Sequence, residues 1–417
     1  MAEIEITAMT FGPYGLGHAD SRAVLVANAA PGDRLEVETV AKRRDYSLAK
    51  ILRVVAPGPA RRTPPCPFLP RCGGCDWQQI AYSEQVRQKG EIIAAEFRRG
   101  LGLELDPRGL VEPSDHEFGY RARIRLRVSR DGAVGFQELG SNRLVAIDRC
   151  LVAAPQIRIA KDFAAGFGRE LEEIELAAAG ERQVLIVYLN RTPSKSHLAR
   201  AGKLLESDSS LAGVVLRGGD RRVAVGEVEV EVPIEPELRI KVPADLFTQV
   251  NHAQNVKLVA AVMQVAAPAR GHALLDLFCG AGNFALAAAR RGASVTGVDA
   301  DGDAIACAAR NAERLQLAPL ARFTAIGAQQ LAAFLVRASY RPDCVILDPP
   351  RAGAFALMEP IVKLRAPRVL YVSCDIATLT RDLRELIAHR YKISLVRGFD
   401  FFPNTHHTEI VAEAVLT

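Results

Sequence analysis

The chain has 417 residues, a length that suits two or three domains. Its 49% hydrophobic and 24% charged residues are the ordinary balance of a soluble globular protein, and no apolar run reaches the roughly 18–20 residues that cross a bilayer. A net charge of +5 does not by itself select a nucleic-acid partner, so the position of the basic residues decides more than their sum.

The first residues, MAEIEITAMTFG, lack a basic segment followed by an apolar one, so no secretory signal is read and a cytoplasmic location is expected. Over residues 1–57, short apolar runs such as AVLV and LEVETV alternate with glycine turns. That rhythm predicts about five short strands, which suit an OB-like β-barrel, a frequent RNA-binding module. Lys42, Arg43, Arg44, Arg61 and Arg62 form a basic stretch, either a solvated surface or a phosphate contact. Residues 56–65, APGPARRTPP, read as a linker. Ser83 stands where it would cap a helix over 83–99, which Gly90 weakens. From Tyr120 to Val128 the alternation is strict: Arg121, Arg123, Arg125 and Arg127 share one face of a strand, opposite Ala122, Ile124, Leu126 and Val128. Four arginines are not buried unpaired, so that face must meet water, acidic partners or phosphates. Asp131-Gly132 marks a hairpin turn. Residues 150–240 continue as mixed α and β.

From about residue 240 the pattern changes. ALLDLF, ASVTGVDA, PDCVILDPP and RVLYVSCD are apolar strand runs, separated by helical stretches such as NFALAAARR, AIACAARNAERL and TLTRDLRELIAHR. Such alternation predicts a doubly wound parallel sheet. The segment Asp276–Phe284, DLFCGAGNF, follows a strand and opens a helix, with Gly280 and Gly282 clearing space for a ligand at the strand's carboxyl end. Nineteen residues after Gly280 the next strand ends at Asp299, where an acid reaches both ribose hydroxyls. The third glycine of the dinucleotide fingerprint is missing, so a nucleoside cofactor such as S-adenosylmethionine fits better than NAD. Asp348-Pro349-Pro350-Arg351 ends a further strand beside the same site.

The eight cysteines fall into two sets. Cys66, Cys72 and Cys75 have C-x5-C-x2-C spacing, with Cys150 downstream. Four thiolates hold either a tetrahedral zinc or an iron–sulfur cluster, and the spacing leaves both open. In the other set, Cys307 and Cys344 read as core residues and Cys279 as part of the cofactor loop. Cys374, flanked by Ser373 and Asp375 at a strand end, does not read as core. A thiolate there is the group needed to methylate C5 of uracil. It adds at C6 and makes C5 nucleophilic, after which a base removes the C5 proton. Glu409 is the candidate base, with His406 and His407 as rivals.

In sum these motifs resemble the RNA 5-methyluridine methyltransferases, in the branch that carries a TRAM domain and an iron–sulfur cluster and modifies 23S ribosomal RNA. Residues 1–57 resemble the TRAM barrel through Gly15-Leu16-Gly17 and Ala30-Pro31-Gly32-Asp33. FTQVN at Phe247–Asn251, DLFCGAGNF, DPPR, SCD and DFFPNTHHTE follow in the family's order. The resemblance implies an α/β protein of three parts: a TRAM-like OB β-barrel at 1–57, a central α+β iron–sulfur domain at 58–240, and a Rossmann-like methyltransferase domain at 241–417. It implies that Gln249, Phe278, Asn283, Asp299 and Asp348 contact S-adenosylmethionine. Cys374 would be the nucleophile, Glu409 the base, and Cys66, Cys72, Cys75 and Cys150 the ligands of a [4Fe–4S] cluster. Two departures stand out: Asp299 occupies a place where the family often has Glu, and near Gly327 there is no Asn or Asp for the adenine. The expected partner is 23S rRNA, with no membrane, and the protein is expected to act as a monomer. Transfer RNA is the alternative substrate, and a non-catalytic RNA-binding ribosome assembly factor is the alternative from another class.

Overall fold

The computed structural model describes residues 2–337 and 341–417. Five strands, Ala2–Met9, Tyr14–Ala19, Arg22–Ala27, Arg34–Lys42 and Tyr46–Ala56, close into a barrel in which the fifth lies between the third and the fourth. Alternation explains the closure: Ile4, Ile6, Val24, Val26, Leu35 and Val37 all point inward and are buried. Gly17 allows the first two strands to approach, since a Cβ there would stand 2.6 Å from the Glu5 carbonyl oxygen. Asp33 seals one end. It is fully buried, accepts from the Ala30 and Gly58 amides at 2.6 and 2.9 Å, and pairs with Arg61 at 2.8 Å. Arg61 is therefore a structural residue, whereas Lys42, Arg43 and Arg44 are exposed.

A seven-stranded sheet occupies the middle of the chain, in the order Arg221–Gly226, Leu211–Gly218, Arg182–Leu189, Leu171–Ala179, Arg123–Val128, Val134–Gln137, Leu144–Ala146. The arginine strand buries Ile124 and Leu126 as the alternation requires. Its polar face meets acidic partners on the adjoining strand: Arg123 pairs with Glu175 at 2.6 Å, and Arg125 and Arg127 both pair with Glu173. Arg121 stands apart, ahead of the regular strand.

The C-terminal sheet has eight strands. Ala321–Ala325, Ser294–Asp299, Ala273–Leu277, Cys344–Leu347 and Arg368–Ser373 run parallel, as the alternating pattern predicts. Glu409–Leu416 then pairs antiparallel with Arg368–Ser373 and with Tyr391–Phe399. The two-residue strand Val111–Glu112, from the middle of the chain, joins the sheet beside Tyr391–Phe399. Helix Tyr82–Leu101 also belongs to this layer and packs on helix Ile376–Ala388. It begins at Tyr82 and is capped by Ala81, not by Ser83, because the Ala81 carbonyl already accepts the Glu84 and Gln85 amides. Gly90 is a fitted residue within it, since a Cβ would lie 2.5 Å from the Pro107 carbonyl oxygen. No helix among the described residues is long and apolar enough to cross a membrane.

Candidate active site and four-cysteine cavity

The parallel strands end together, and their carboxyl ends carry the predicted residues. Register places Asp276 between Gly297 and Ile346, so the turns after Leu277, Val298 and Leu347 share one edge. Asp276 is fully buried; one of its oxygens accepts from the Ala285 amide at 2.9 Å and the other has no partner. Burial first, then the nearby Asp348 and Asp299, pushes its carboxyl well above the usual carboxylate range. Phe278 adopts φ +63, which turns the chain sharply into the Gly280–Gly282 loop, and a Cβ on Gly280 would meet open space. Asp299 steadies that loop by accepting from the Gly280 amide at 2.9 Å and from the Asp301 amide at 2.9 Å. Asn283 opens the next helix and exchanges amide hydrogen bonds with Asn255 at 2.9 and 3.0 Å. Gln249 is half-buried in the segment before helix His252–Ala266, two residues from the exposed Phe247. Gly327 leaves open space beside the strand Ala321–Ala325.

The thiol and the candidate base come together across the sheet. Ser373 pairs with Ile410, so Cys374 follows on one strand where Glu409 precedes on the other. Glu409 is buried, and one of its oxygens has no partner. Cys374 is half-buried, and its thiol is pushed up to about 11, first by burial and then by Glu409. Burial raises both Asp348 and Glu409, and Asp348 raises Glu409 further. Arg351 opposes these effects: its positive charge favours the charged forms of both Cys374 and Glu409. Asp375 is a helix cap, accepting from the Thr378 amide at 2.9 Å. A half-buried thiol, a buried carboxyl and a nearby cation at the strands' carboxyl edge suit nucleophilic catalysis with proton transfer. Sequence reasoning quoted Arg351 within its motif without giving it a role, and the only signal was a lone cation after two prolines.

The four predicted metal cysteines also come together. Cys66, Cys72, Cys75 and Cys150 line one cavity with the apolar Phe68, Leu69, Phe136 and Ile147. Burial pushes the Cys75 thiol up to about 12 and raises Cys72 and Cys150 as well. Arg121 lines the same cavity, and its Nε is buried without a partner. Among the described residues no set of three or more His, Cys, Asp or Glu side chains has the geometry to hold a metal ion. A single tetrahedral zinc would draw four sulfurs to about 3.8 Å from one another, given Zn–S bonds of about 2.3 Å. Four soft donors, apolar walls and an Arg121 whose Nε lacks a partner have the chemistry of a thiolate-held metal centre, zinc or iron–sulfur.

Comparison with known proteins gives consistent matches. The family described as tRNA (Uracil-5-)-methyltransferase matches residues 194–413. The "23S rRNA (uracil(1939)-C(5))-methyltransferase RlmD" of Alkalilimnicola ehrlichii is 32% identical, covering 98% of this chain and 95% of that protein. The protein of the same description from Shewanella amazonensis is 32% identical over 95% of this chain and 92% of its own length. Among solved structures, the Pyrococcus abyssi tRNA (uracil-54, C5)-methyltransferase in complex with S-adenosyl-L-homocysteine is similar at a TM-score of 0.76 and 25% identity, covering 99% of this chain and 100% of that one.

The raised Cys374 thiol has a measurable consequence. Below its pKa the thiolate fraction falls tenfold for each unit, so alkylation of Cys374 by iodoacetamide, followed by peptide mass spectrometry, should accelerate as pH rises toward about 11. Arg351→Met removes the opposing cation and raises the pKa further, so alkylation should slow at every pH below it. An unchanged rate would mean that Arg351 does not act on the thiol.

Proposed function

The chain belongs to the tRNA (uracil-5-)-methyltransferase family and is an S-adenosylmethionine-dependent RNA uracil-C5 methyltransferase; on that premise we propose that its target is a uridine of 23S ribosomal RNA, methylated through a covalent adduct on Cys374. The observation that carries the mechanism is the cross-strand placement of Cys374 beside the buried Glu409, with the Arg351 charge favouring the thiolate. S-adenosylmethionine supplies the methyl group when bound. Gln249, Phe278, Asn283, Asp299 and Asp348 would hold it, and the two backbone hydrogen bonds of Asp299 leave its remaining lone pairs for ribose hydroxyls.

Arg351 stabilises the Cys374 thiolate, which adds to C6 of the flipped uracil and moves an electron pair toward C5. After C5 has taken the methyl group, Glu409 removes the C5 proton and the C6–sulfur bond breaks, returning the thiolate. Burial makes Glu409 a stronger base than an ordinary carboxylate, closer in pKa to neutral pH, where such a base works best. A flipped base costs a few kcal/mol, least in loops. The exposed Lys42, Arg43 and Arg44 at the barrel's edge support a TRAM-like role in holding the surrounding RNA, whereas Arg123 is paired with Glu175 and Arg125 and Arg127 share Glu173. We further propose that Cys66, Cys72, Cys75 and Cys150 hold a [4Fe–4S] cluster, a reading supported by the shared cavity and by Arg121.

Transfer RNA is the second reading, favoured by the substrate of the Pyrococcus abyssi structure. Mapping 5-methyluridine in RNA from a deletion strain decides between them. Loss at one 23S position, restored by the wild-type gene but not by Cys374→Ala, is expected; loss only in transfer RNA would overturn the ribosomal assignment. Glu409→Gln should lower kcat by about 10²–10⁴ and leave a denaturation-resistant RNA–protein adduct that Cys374→Ala abolishes. Anaerobically purified protein should be brown and contain iron and acid-labile sulfide, and zinc in their place would rule out the cluster.

A further inference from the structure

The loop between Phe399 and Glu409 walls the active site, and its outer side touches the segment that carries three of the four cysteines. The contacts converge on Asp76, the residue after Cys75. The Asp76 and Trp77 amides both donate to the Asn404 carbonyl, at 3.1 and 3.0 Å. The Asp76 carboxylate accepts from the His406 amide at 3.1 Å and lies 2.5 Å from His406 Nδ1. With side-chain exposures of 10% and 18%, this pair is largely shielded from water. The His406 ring lies against the ring of His407, with centroids 4.0 Å apart. His407 Nε2 in turn faces Arg351 Nη2 at 3.4 Å, and an arginine can only donate there, so the imidazole accepts. Burial, followed by the charges of neighbouring basic groups, lowers the His407 pKa to about 3 and keeps that ring neutral. The Arg351 charge in turn favours the thiolate form of Cys374. None of Asp76, His406 and His407 has a part in the methyl-transfer steps.

We propose that Asp76, His406 and His407 form a positioning chain that aims the Arg351 guanidinium at Cys374 and ties the four-cysteine cavity to the nucleophile. The inference rests on the reading of Cys374 as nucleophile. Arg351 is an exposed, long side chain with many rotamers, and without an anchor it samples water. The 3.4 Å contact is long and contributes direction more than strength. Its acceptor is fixed because the His407 ring is backed by His406, which Asp76 holds twice.

The test compares His407→Phe, which keeps a ring against His406 but removes the acceptor, with His407→Gln, which restores an acceptor, and with Asp76→Ala. Three quantities are read: kcat, KM for RNA, and the alkylation rate of Cys374 in RNA-free protein. His407→Phe should lower kcat and the alkylation rate together by roughly tenfold, the equivalent of one pKa unit on the thiol, with KM unchanged. His407→Gln should recover most of both, and Asp76→Ala should lower both with KM again unchanged. Iron content and circular dichroism of His407→Phe should match the wild type. A wild-type alkylation rate in His407→Phe would overturn the proposal, as would a change confined to KM, which would make the histidines RNA contacts. If Asp76→Ala does not fold, Asp76→Asn takes its place and His407→Phe still decides. Should Cys374→Ala continue to methylate RNA, the nucleophile reading itself fails; an inactive Cys374→Ala beside a fully active His407→Phe removes the positioning chain alone.

Discussion

The buried ion pair between Lys89 and Asp400 is the contact on which the active-site loop depends. Both side chains are fully buried, with Nζ and Oδ1 2.6 Å apart, and Lys89 Nζ also donates to the Phe402 carbonyl at 3.2 Å. Each ion taken alone from water costs about several kcal/mol, so neither is tolerated without the other. The pair fixes helix Tyr82–Leu101 to the start of the loop that leads to Glu409. Gln85 binds Asn404 through both its oxygen and its nitrogen, and from the other side Asn251 and Gln254 donate to the Phe401 and Asp400 carbonyls. A loop held by that many polar contacts keeps Glu409 in place and dry, and burial is what raises its pKa.

The carboxyl edge of the sheet gathers Asp276, Asp299, Asp348 and Glu409 within mutual influence. Asp276, Asp348 and Glu409 are all pushed above the usual carboxylate range there, first by burial. S-adenosylmethionine carries a positive sulfonium and loses that charge on giving up its methyl group. A carboxylate at this edge would hold the charged reactant more firmly than the neutral product.

Much of this was legible in the chain because strand ends are legible. Apolar runs closed by Asp276, Asp299, Asp348 and Cys374 announce a parallel sheet and its ligand edge, and the barrel shows itself through alternation. The cysteine spacing points to a four-thiolate metal site; the four cysteines do line one cavity, but among the described residues no side-chain set has metal-holding geometry, and spacing fixes neither the distance between sulfurs nor their charge. What escaped reading depends on pairs far apart in sequence. The arginine face demanded partners, yet Glu173 and Glu175 lie 48 and 52 residues away on a neighbouring strand. Asp76 meets His406 across 330 residues, and no periodicity encodes such a contact. Val111–Glu112 is too short to signal a strand and is one only because Gly398 and Phe399 offer it an edge. Ser83 has the chemistry of a cap, but the helix starts one residue earlier.

The Lys89–Asp400 pair joins residues 311 positions apart, and this sets a timetable for synthesis. A ribosome that adds about 5–20 residues per second needs roughly 15–60 s to go from one partner to the other. Through that interval the helix with its lysine, and the thiol-bearing segment just ahead of it, have no loop to close over them. The nascent chain carries an unpaired cation and open cysteines until its last strands emerge. Insertion of any group between those cysteines thus has a natural window before the loop arrives, and a chain stopped short of residue 400 has neither the clamp nor the base.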